Sequence, residues 1–365
     1  MFKQNKLRKL PAPSFVNLVF ALILFWILAI VSKIMFNGLV YGFDYGLYHP
    51  DGALYTFKTL TMLGLPELDA GVEISNWYSD FSFKMKNIDP QSLSFEENSN
   101  WAIYNSRILY PFLSVPFVKV FGISGMLVVP FLSLFCIMYS SLKIGLYLNK
   151  PIFGLIIAII FSFSVTINRW MLSNLADSLL TALVSVVVLV LVKSKDMKIN
   201  FYFLLLLIIL TSLTKFSLIF WIGIALVMMR HKQLKMALFI FLSSFLMFLP
   251  TLFGNFQHAI LPGNSSSSLI YKFFIFPFSF FRVGYYELLQ LLILDKVLLS
   301  LVLISIYIAI KNIKSISSQY FLATLFSLWV TGAINGTIGV NFRYQLPLLP
   351  FIAWVILENS KKKIT

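Results

Sequence analysis

The sequence predicts an all-α polytopic membrane protein with about ten transmembrane helices. Hydrophobic residues make up 59% of the 365 residues and charged residues only 12%, whereas a soluble domain carries about 25% charged residues. Several apolar runs approach or exceed the roughly 20 residues that a helix needs to cross a bilayer. A transmembrane β-barrel would instead show short segments of alternating hydrophobicity. The composition therefore favours a bundle of membrane helices.

The charges and the single cysteine exclude further classes of protein and indicate the membrane topology. The formal net charge is +15, and much of the excess lies in short loops between apolar runs, where membrane topology explains it better than nucleic-acid binding does. The basic tail at residues 1–13 places the N-terminus in the cytoplasm. The apolar run after that tail is long and has no small-residue cleavage site, so we predict a retained helix and not a signal peptide. Because Cys136 is the single cysteine of the sequence, a disulfide framework and a cysteine-rich metal site are excluded.

The first predicted span, residues 14–36, leads to a large outer loop at residues 37–106. That loop holds 9 of the 14 acidic residues. A loop this long is uncommon unless it is functional or folded. Its apolar residues Ala53, Phe57 and Leu60 are spaced for a helix that lies in the membrane interface. We therefore predict interfacial helices within this first periplasmic loop.

The remaining spans follow from the apolar runs and the basic loops between them. Residues 107–122 contain two prolines and a lysine, so we predict that they lie along the outer leaflet and do not cross. Nine further spans are predicted: residues 124–147, 152–167, 178–192, 201–229 as two spans broken near Thr214 and Lys215, 236–253, 288–310, 320–334 and 346–357. With both termini inside, the inner loops hold 17 of the 29 lysines and arginines and only two acids.

Two carboxylates directly after the first span are the candidates for chemistry. Asp51 begins a predicted interfacial helix, where it is either a helix cap or a general base, and the two roles are compatible. We assign Asp51 as the base. Asp44 is the rival candidate for this role, and its alternative interpretation is a solvated acid in the loop. His49 lies between them and is a structural residue, a metal ligand or a substrate contact.

Four cations on the predicted outer side need an explanation, because outer loops are poor in them. They are Arg107, Arg169, Lys215 and Arg343. Each either reaches the membrane surface or pairs with an acid such as Asp177, or several converge on one pocket. A convergent set would bind a phosphate or pyrophosphate, with arginine forks on the oxygens and lysine as a point charge. Asp177 at the outer start of the fourth span is either a helix cap, which we favour, or a contact for a substrate hydroxyl.

Five short segments resemble the C-type (GT-C) multi-spanning glycosyltransferases, which use polyprenyl-phosphate sugars and include the bacterial protein-mannosyltransferase and aminoarabinose-transferase groups. The segments are HPDGALY, RILYPFL, NLADSLL, LTKFS and RYQLPLLPF. The resemblance implies a GT-C fold with Asp51 as the essential acid of the first outer loop. It implies that Arg343, Lys215 and Arg107 hold the donor phosphate, and that His49, Asp177, Arg169 and Tyr344 contact substrate. Gly52 stands where protein mannosyltransferases carry a second acid, and no soluble C-terminal domain follows.

The resemblance also implies a division of the single membrane domain, residues 1–365. Residues 1–195 form the N-terminal catalytic module, with spans 1–4 and the outer loop, and residues 196–365 form a variable helical module. The expected activity is inverting transfer of a monosaccharide from a polyprenyl phosphate to a hydroxyl of a lipid-linked or cell-envelope glycan. It would occur on the periplasmic side of a bacterial inner membrane, without a cofactor or required metal and without nucleic acid. The alternative is a flippase or transporter of lipid-linked oligosaccharides, although the sequence shows no internal repeat.

Overall fold

The computed structural model describes residues 14–41, 50–81, 107–194, 200–215, 217–253, 269–335 and 342–360. Every regular element in these ranges is a helix, and the ranges contain no strand. The prediction of an all-α chain is therefore confirmed for the part of the chain that the structure describes.

The helices follow one another closely along the chain. The α-helices are α1 (Phe15–Tyr41), α2 (Pro50–Met62), α3 (Glu67–Phe81), α4 (Leu109–Phe121), α5 (Val128–Tyr147), α6 (Pro151–Phe163), α7 (Val165–Met171), α8 (Ala176–Lys193), α9 (Phe201–Thr214), α10 (Leu218–Arg230), α11 (Leu234–Phe253), α12 (Leu269–Leu294), α13 (Lys296–Lys311), α14 (Ile316–Asn335) and α15 (Leu349–Asn359). Two 3₁₀ helices complete the set, Gly122–Leu127 before α5 and Arg343–Leu348 before α15.

Some of these helices have the length and apolarity of membrane spans. Three described runs qualify: Phe15–Met35, Leu109–Tyr147 and Ala176–Lys193. The pair α6 and α7 passes the same test as a fourth, bent by 70° at its break. Phe201–Thr214, Leu218–Arg230 and Leu234–Leu249 are apolar but shorter. The described helices therefore support three or four of the ten predicted spans.

The run from α4 to α5 is not a single straight rod. The Tyr110 hydroxyl donates to the Met126 carbonyl at 2.8 Å, although sixteen residues of straight helix would extend about 24 Å. A Cβ on Gly125 would lie 2.3 Å from the Phe117 carbonyl oxygen, so only glycine allows this fold-back. The chain therefore turns at the first 3₁₀ helix, which separates α4 from α5.

Two predicted spans are broken where the sequence suggested continuity. They are the spans predicted at residues 288–310 and 152–167. The first is interrupted at Asp295, which is the N-cap of α13 and accepts a hydrogen bond from the Leu298 N–H at 2.9 Å. The same buried carboxylate accepts from the Ser164 hydroxyl and from the Thr166 N–H, at the break between α6 and α7. One acid thus caps two helix starts at once. As a consequence, Arg169, which we expected in a loop, lies in helix α7.

Helix α8 is the most enclosed of the candidate spans and carries Asp177 in its first turn. Of its apolar window, 72% is buried, against 17% for α1. It packs against α5, α9, α15 and the second 3₁₀ helix. This central position brings Asp177 to the point where residues from early and late parts of the chain meet.

Candidate functional site

Four charged side chains from four different elements form one connected ion cluster. The Arg343 guanidinium donates from Nη1 to Asp51 Oδ2 at 2.7 Å and from Nε to Asp177 Oδ2 at 3.1 Å. Its Nη2 lies 3.0 Å from the same Asp177 oxygen. The Lys215 ammonium donates to Asp177 Oδ1. The order along the cluster is therefore Asp51, Arg343, Asp177, Lys215, with alternating charges. Residues 51 and 343 are the most distant in sequence, and the fold places them in direct contact.

Asp177 serves the two cations and is not a helix cap. The N-cap of α8 is Leu175, and Asp177 lies one position into the first turn. Both of its oxygens accept from cationic groups, and its side chain is only 4% exposed. The favoured interpretation from the sequence, a helix cap, is therefore wrong, and the structure shows Asp177 paired with Lys215 and Arg343. The N-terminus of α8 adds a favourable field for this negative charge.

Lys215 lies at the break between α9 and α10, where the sequence predicted it. Its backbone is extended, and the break is fastened by the Trp221 indole N–H, which donates to the Thr211 hydroxyl at 2.9 Å. The Lys215 ammonium also lies 4.5 Å from the centre of the Tyr344 ring, which suits a buried cation. Burial, with smaller contributions from Arg343 and Arg107, lowers the pKa of Lys215 to about 8 against the opposing effect of Asp177.

Arg343 stays charged at all working pH values. Burial alone would lower its pKa, but the carboxylates of Asp177 and Asp51 outweigh that effect and raise the pKa above its ordinary value. Its guanidinium lies 5.3 Å from the centre of the Trp170 ring. The Arg169 guanidinium also lies near this ring, 5.2 Å from its centre. Arg169 itself is exposed. It therefore lies outside the buried cluster, and Trp170 is a residue that the sequence analysis did not identify.

Asp51 is the most open of the four clustered groups. Its side chain is 34% exposed, whereas those of Arg343 and Asp177 are 7% and 4% exposed. It lies in the first turn of α2, next to Pro50, which suits the first helical position. A carboxylate in this position can meet a substrate on its exposed side while it remains paired with Arg343. Asp44 and His49 lie outside the described residues, as does the loop segment that contains them.

The start of α2 rests directly on the segment before α8. A Cβ added to Gly52 would lie 2.1 Å from the side chain of Asn174, which is fully buried three residues before Asp177. No side chain fits at position 52 unless Asn174 moves. This contact fixes Asp51 relative to Asp177, and it gives the glycine after Asp51 a steric reason.

Replacing Gly52 with alanine is expected to reduce thermal stability and to displace Asp51. Overpacking a close contact costs about 1–3 kcal/mol, and the clash falls on the residue beside the cluster. The detergent-solubilised variant should show a lowered melting temperature by fluorescence-monitored unfolding. Gly284→Ala is the matched control, because a Cβ there meets its nearest atoms at 3.7 Å. Equal melting temperatures for the two variants would contradict this account of Gly52.

Arg107 lies beside the same cluster on the side of α2. Its Nη1 donates to the Tyr55 hydroxyl at 3.2 Å, and Tyr55 follows Asp51 by one helical turn. The Tyr55 ring is fully buried edge-on against Tyr110, with centroids 5.3 Å apart. Arg107 is near enough to contribute to the lowered pKa of Lys215. Three cations, Arg107, Lys215 and Arg343, therefore surround the two aspartates.

A second buried polar pair adjoins the cluster and was also missed from the sequence. Glu287 of α12 accepts a hydrogen bond from the side-chain amide of Gln345 at 3.0 Å. Gln345 follows Arg343 by two residues. The available signal was the acid itself, because an ionisable residue within an apolar helix is a functional candidate. In the described ranges, no three His, Cys, Asp or Glu side chains come together as metal ligands would.

Comparisons of the chain with protein-family models, with curated proteins and with solved structures found no match. The function is therefore inferred from the site itself.

Proposed function

We propose that the protein is an inverting membrane glycosyltransferase that moves a monosaccharide from a polyprenyl phosphate to a hydroxyl of a lipid-linked or cell-envelope glycan. The observation that carries the proposal is the contact of Arg343 with both Asp51 and Asp177. It joins a partly open carboxylate to buried cations. Such a pairing supplies the two things that the reaction needs, a base for the acceptor and positive charge for the leaving phosphate.

The cations of the cluster have a geometry that suits a phosphate. Arg343 presents several N–H donors in one plane, and Lys215 approaches Asp177 from another direction. The two aspartate carboxylates accept hydrogen bonds from these donors. A phosphate diester is an oxyanion of similar size and can share Arg343 and Lys215 with Asp177, as arginine forks bind either group. Arg107 completes the positive side of the site.

The reaction then needs one displacement. Asp51 takes the proton of the acceptor hydroxyl as its oxygen forms a bond to the anomeric carbon of the sugar. The bond from that carbon to the phosphate oxygen breaks, and its electron pair leaves on the polyprenyl phosphate. Arg343 and Lys215 neutralise the developing charge, so the mechanism does not require a metal. Attack opposite the leaving group inverts the anomeric configuration.

The topology that fits this function is the ten-span arrangement of the GT-C fold in a bacterial inner membrane. Both termini would be cytoplasmic and the site would face the periplasm, as the distribution of basic loops indicates. The break at Lys215 separates two apolar helices, α9 and α10, and the proposed arrangement assigns one crossing to each. The cluster joins both proposed modules, because Asp51 and Asp177 come from the first and Lys215 and Arg343 from the second.

A lipid-linked oligosaccharide flippase is the alternative that uses the same cations. The partly exposed Asp51 favours the transferase, because a flippase has no need for a base at the outer edge. Purified protein in detergent, supplied with a polyprenyl-phosphate sugar and an acceptor glycolipid, should form a new glycosidic bond. A flippase would give no product there, since detergent contains no second compartment.

The rate of sugar transfer should depend on pH through the protonation of Lys215. Its pKa of about 8 means that the ammonium loses its proton above that pH and can no longer attract the phosphate. We therefore expect kcat/KM, which reports groups of the free enzyme, to fall as the pH rises through about 8. Lys215→Arg should remove this fall, because arginine stays protonated. An unchanged alkaline limb in Lys215→Arg would contradict the assignment.

A further inference from the structure

The second 3₁₀ helix, Arg343–Leu348, presents three consecutive side chains in three directions. A 3₁₀ helix has three residues per turn, so neighbouring side chains are about 120° apart. Arg343 reaches Asp51 and Asp177, the Tyr344 ring lies against Lys215, and Gln345 reaches Glu287. Because the three side chains share one short rigid turn, whatever fixes one of them also fixes the other two.

The backbone at the start of this turn is strained. Phe342 has φ +65°, in the left-handed region that non-glycine residues rarely adopt. Its side chain is 3% exposed and packs in the core. A residue keeps such a conformation only when its surroundings hold it there. The core packing of Phe342 and the contacts of the three following side chains together hold this turn.

The Glu287–Gln345 pair is the contact that lies farthest from the charges. Glu287 is 5% exposed and Gln345 is fully buried. Among the described residues, Glu287 Oε2 and Gln345 Oε1 have no hydrogen-bond partner. Burying polar groups with incomplete partners is unfavourable, and two apolar residues would fill the space more stably. A directional bond that persists at such a cost indicates that orientation matters there.

We propose that Glu287 is a positioning residue, which acts through Gln345 to set the rotation of the 3₁₀ helix and so holds the Arg343 guanidinium in place for the donor phosphate. The phosphate part of this statement rests on the proposed function; the positioning part does not. Within the part of the chain that the structure describes, Glu287 forms no hydrogen bond or ion pair with Arg343 or with the other clustered charges. Its effect on the site passes through the bond to Gln345.

The first test measures the turn directly. Hydrogen–deuterium exchange of the backbone amides at residues 343–348 is compared in wild type, Glu287→Leu and Glu287→Gln. Leucine removes the acceptor, whereas glutamine keeps an oxygen of the same reach for the Gln345 amide. We expect exchange to rise roughly tenfold in Glu287→Leu, the effect of losing one buried hydrogen bond, and to stay near wild type in Glu287→Gln. Wild-type exchange in Glu287→Leu would overturn the proposal, whatever the protein's function.

The second test separates positioning from general damage. Binding of farnesyl phosphate to the detergent-purified full chain is measured in the wild-type and Arg343→Gln backgrounds, each with and without Glu287→Leu. Glu287→Leu should weaken binding roughly tenfold in the wild-type background and cause no further loss once Arg343 is absent. Equal losses in both backgrounds would show a structural role and overturn the proposal.

Two outcomes remain decisive when a variant or the ligand fails. If Glu287→Leu does not fold, Gln345→Met removes the same hydrogen bond from the other side and carries the same expectations. If wild type does not bind farnesyl phosphate, the proposed function fails, while raised exchange at residues 343–348 in Glu287→Leu still supports the positioning role. The two failures are therefore distinguishable.

Discussion

Asp51→Asn is expected to lower the rate of sugar transfer by about 10²–10⁴-fold, the usual contribution of a general base, and to leave donor binding almost unchanged. The asparagine side chain has the shape of aspartate, and its amide oxygen can still accept a hydrogen bond from Arg343. In the wild-type protein, Arg343 lies 2.7 Å from the Asp51 carboxylate. It cannot take a proton from the acceptor. The measurement is kcat with saturating donor, together with the Kd of a non-transferable donor analogue.

Two variants control for the substitution itself. Asp69→Asn changes an exposed acid of α3 in the same outer region, and it should leave transfer at the wild-type rate. Asp44→Asn tests the rival assignment and should also remain active if Asp51 is the base. A fully active Asp51→Asn enzyme would move the role to Asp44 or end the proposal of an enzyme with this site.

Asp177→Asn is expected to destabilise the protein by about 3–5 kcal/mol, the cost of removing one partner from a buried ion pair. Lys215 would lose its carboxylate partner, and Arg343 would keep only Asp51. Lys215 is 7% exposed and has little access to water. The measurement is thermal or denaturant unfolding in detergent. The destabilisation should be smaller above pH 8, since Lys215 can then lose its proton.

A paired variant separates charge from shape. Asp177→Asn combined with Lys215→Met removes the acid and the unmatched ammonium together, so it should recover part of the lost stability. Glu73→Gln, on the exposed side of α3, is the control for a neutralised acid and should change stability by less than about 0.5 kcal/mol. If Asp177→Asn is as stable as Glu73→Gln, the buried ion cluster does not have the energetic role described.

Local rules were sufficient for the elements that depend on nearby residues. The all-α class follows from composition, and the break near Lys215 follows from a cation within an apolar run. The prediction of one continuous span at residues 288–310 was wrong, because one helix ends before Asp295 and the next begins after it. Asp295 instead caps α13 and bonds to the Ser164 region, a contact between residues 131 positions apart that no local pattern contains.

The connections within the candidate site were less accessible from the sequence. The sequence analysis allowed Arg107, Lys215 and Arg343 to converge on one pocket, but it could not give the order of charges in the cluster. Arg343 contacts Asp177 across 166 residues, and packing of α8 against the second 3₁₀ helix decides that contact. Asp177 looked like a cap because the cap signal depends only on the first helical turn. Glu287 was missed since its partner, Gln345, lies 58 residues away.

An experimental structure of the protein with a bound polyprenyl phosphate tests the central claim most directly. The account predicts that the phosphate oxygens contact the Arg343 guanidinium and the Lys215 ammonium, with the Asp51 carboxylate facing the side from which an acceptor enters. A phosphate bound elsewhere, with Asp51, Asp177, Lys215 and Arg343 still closed on one another, would contradict it.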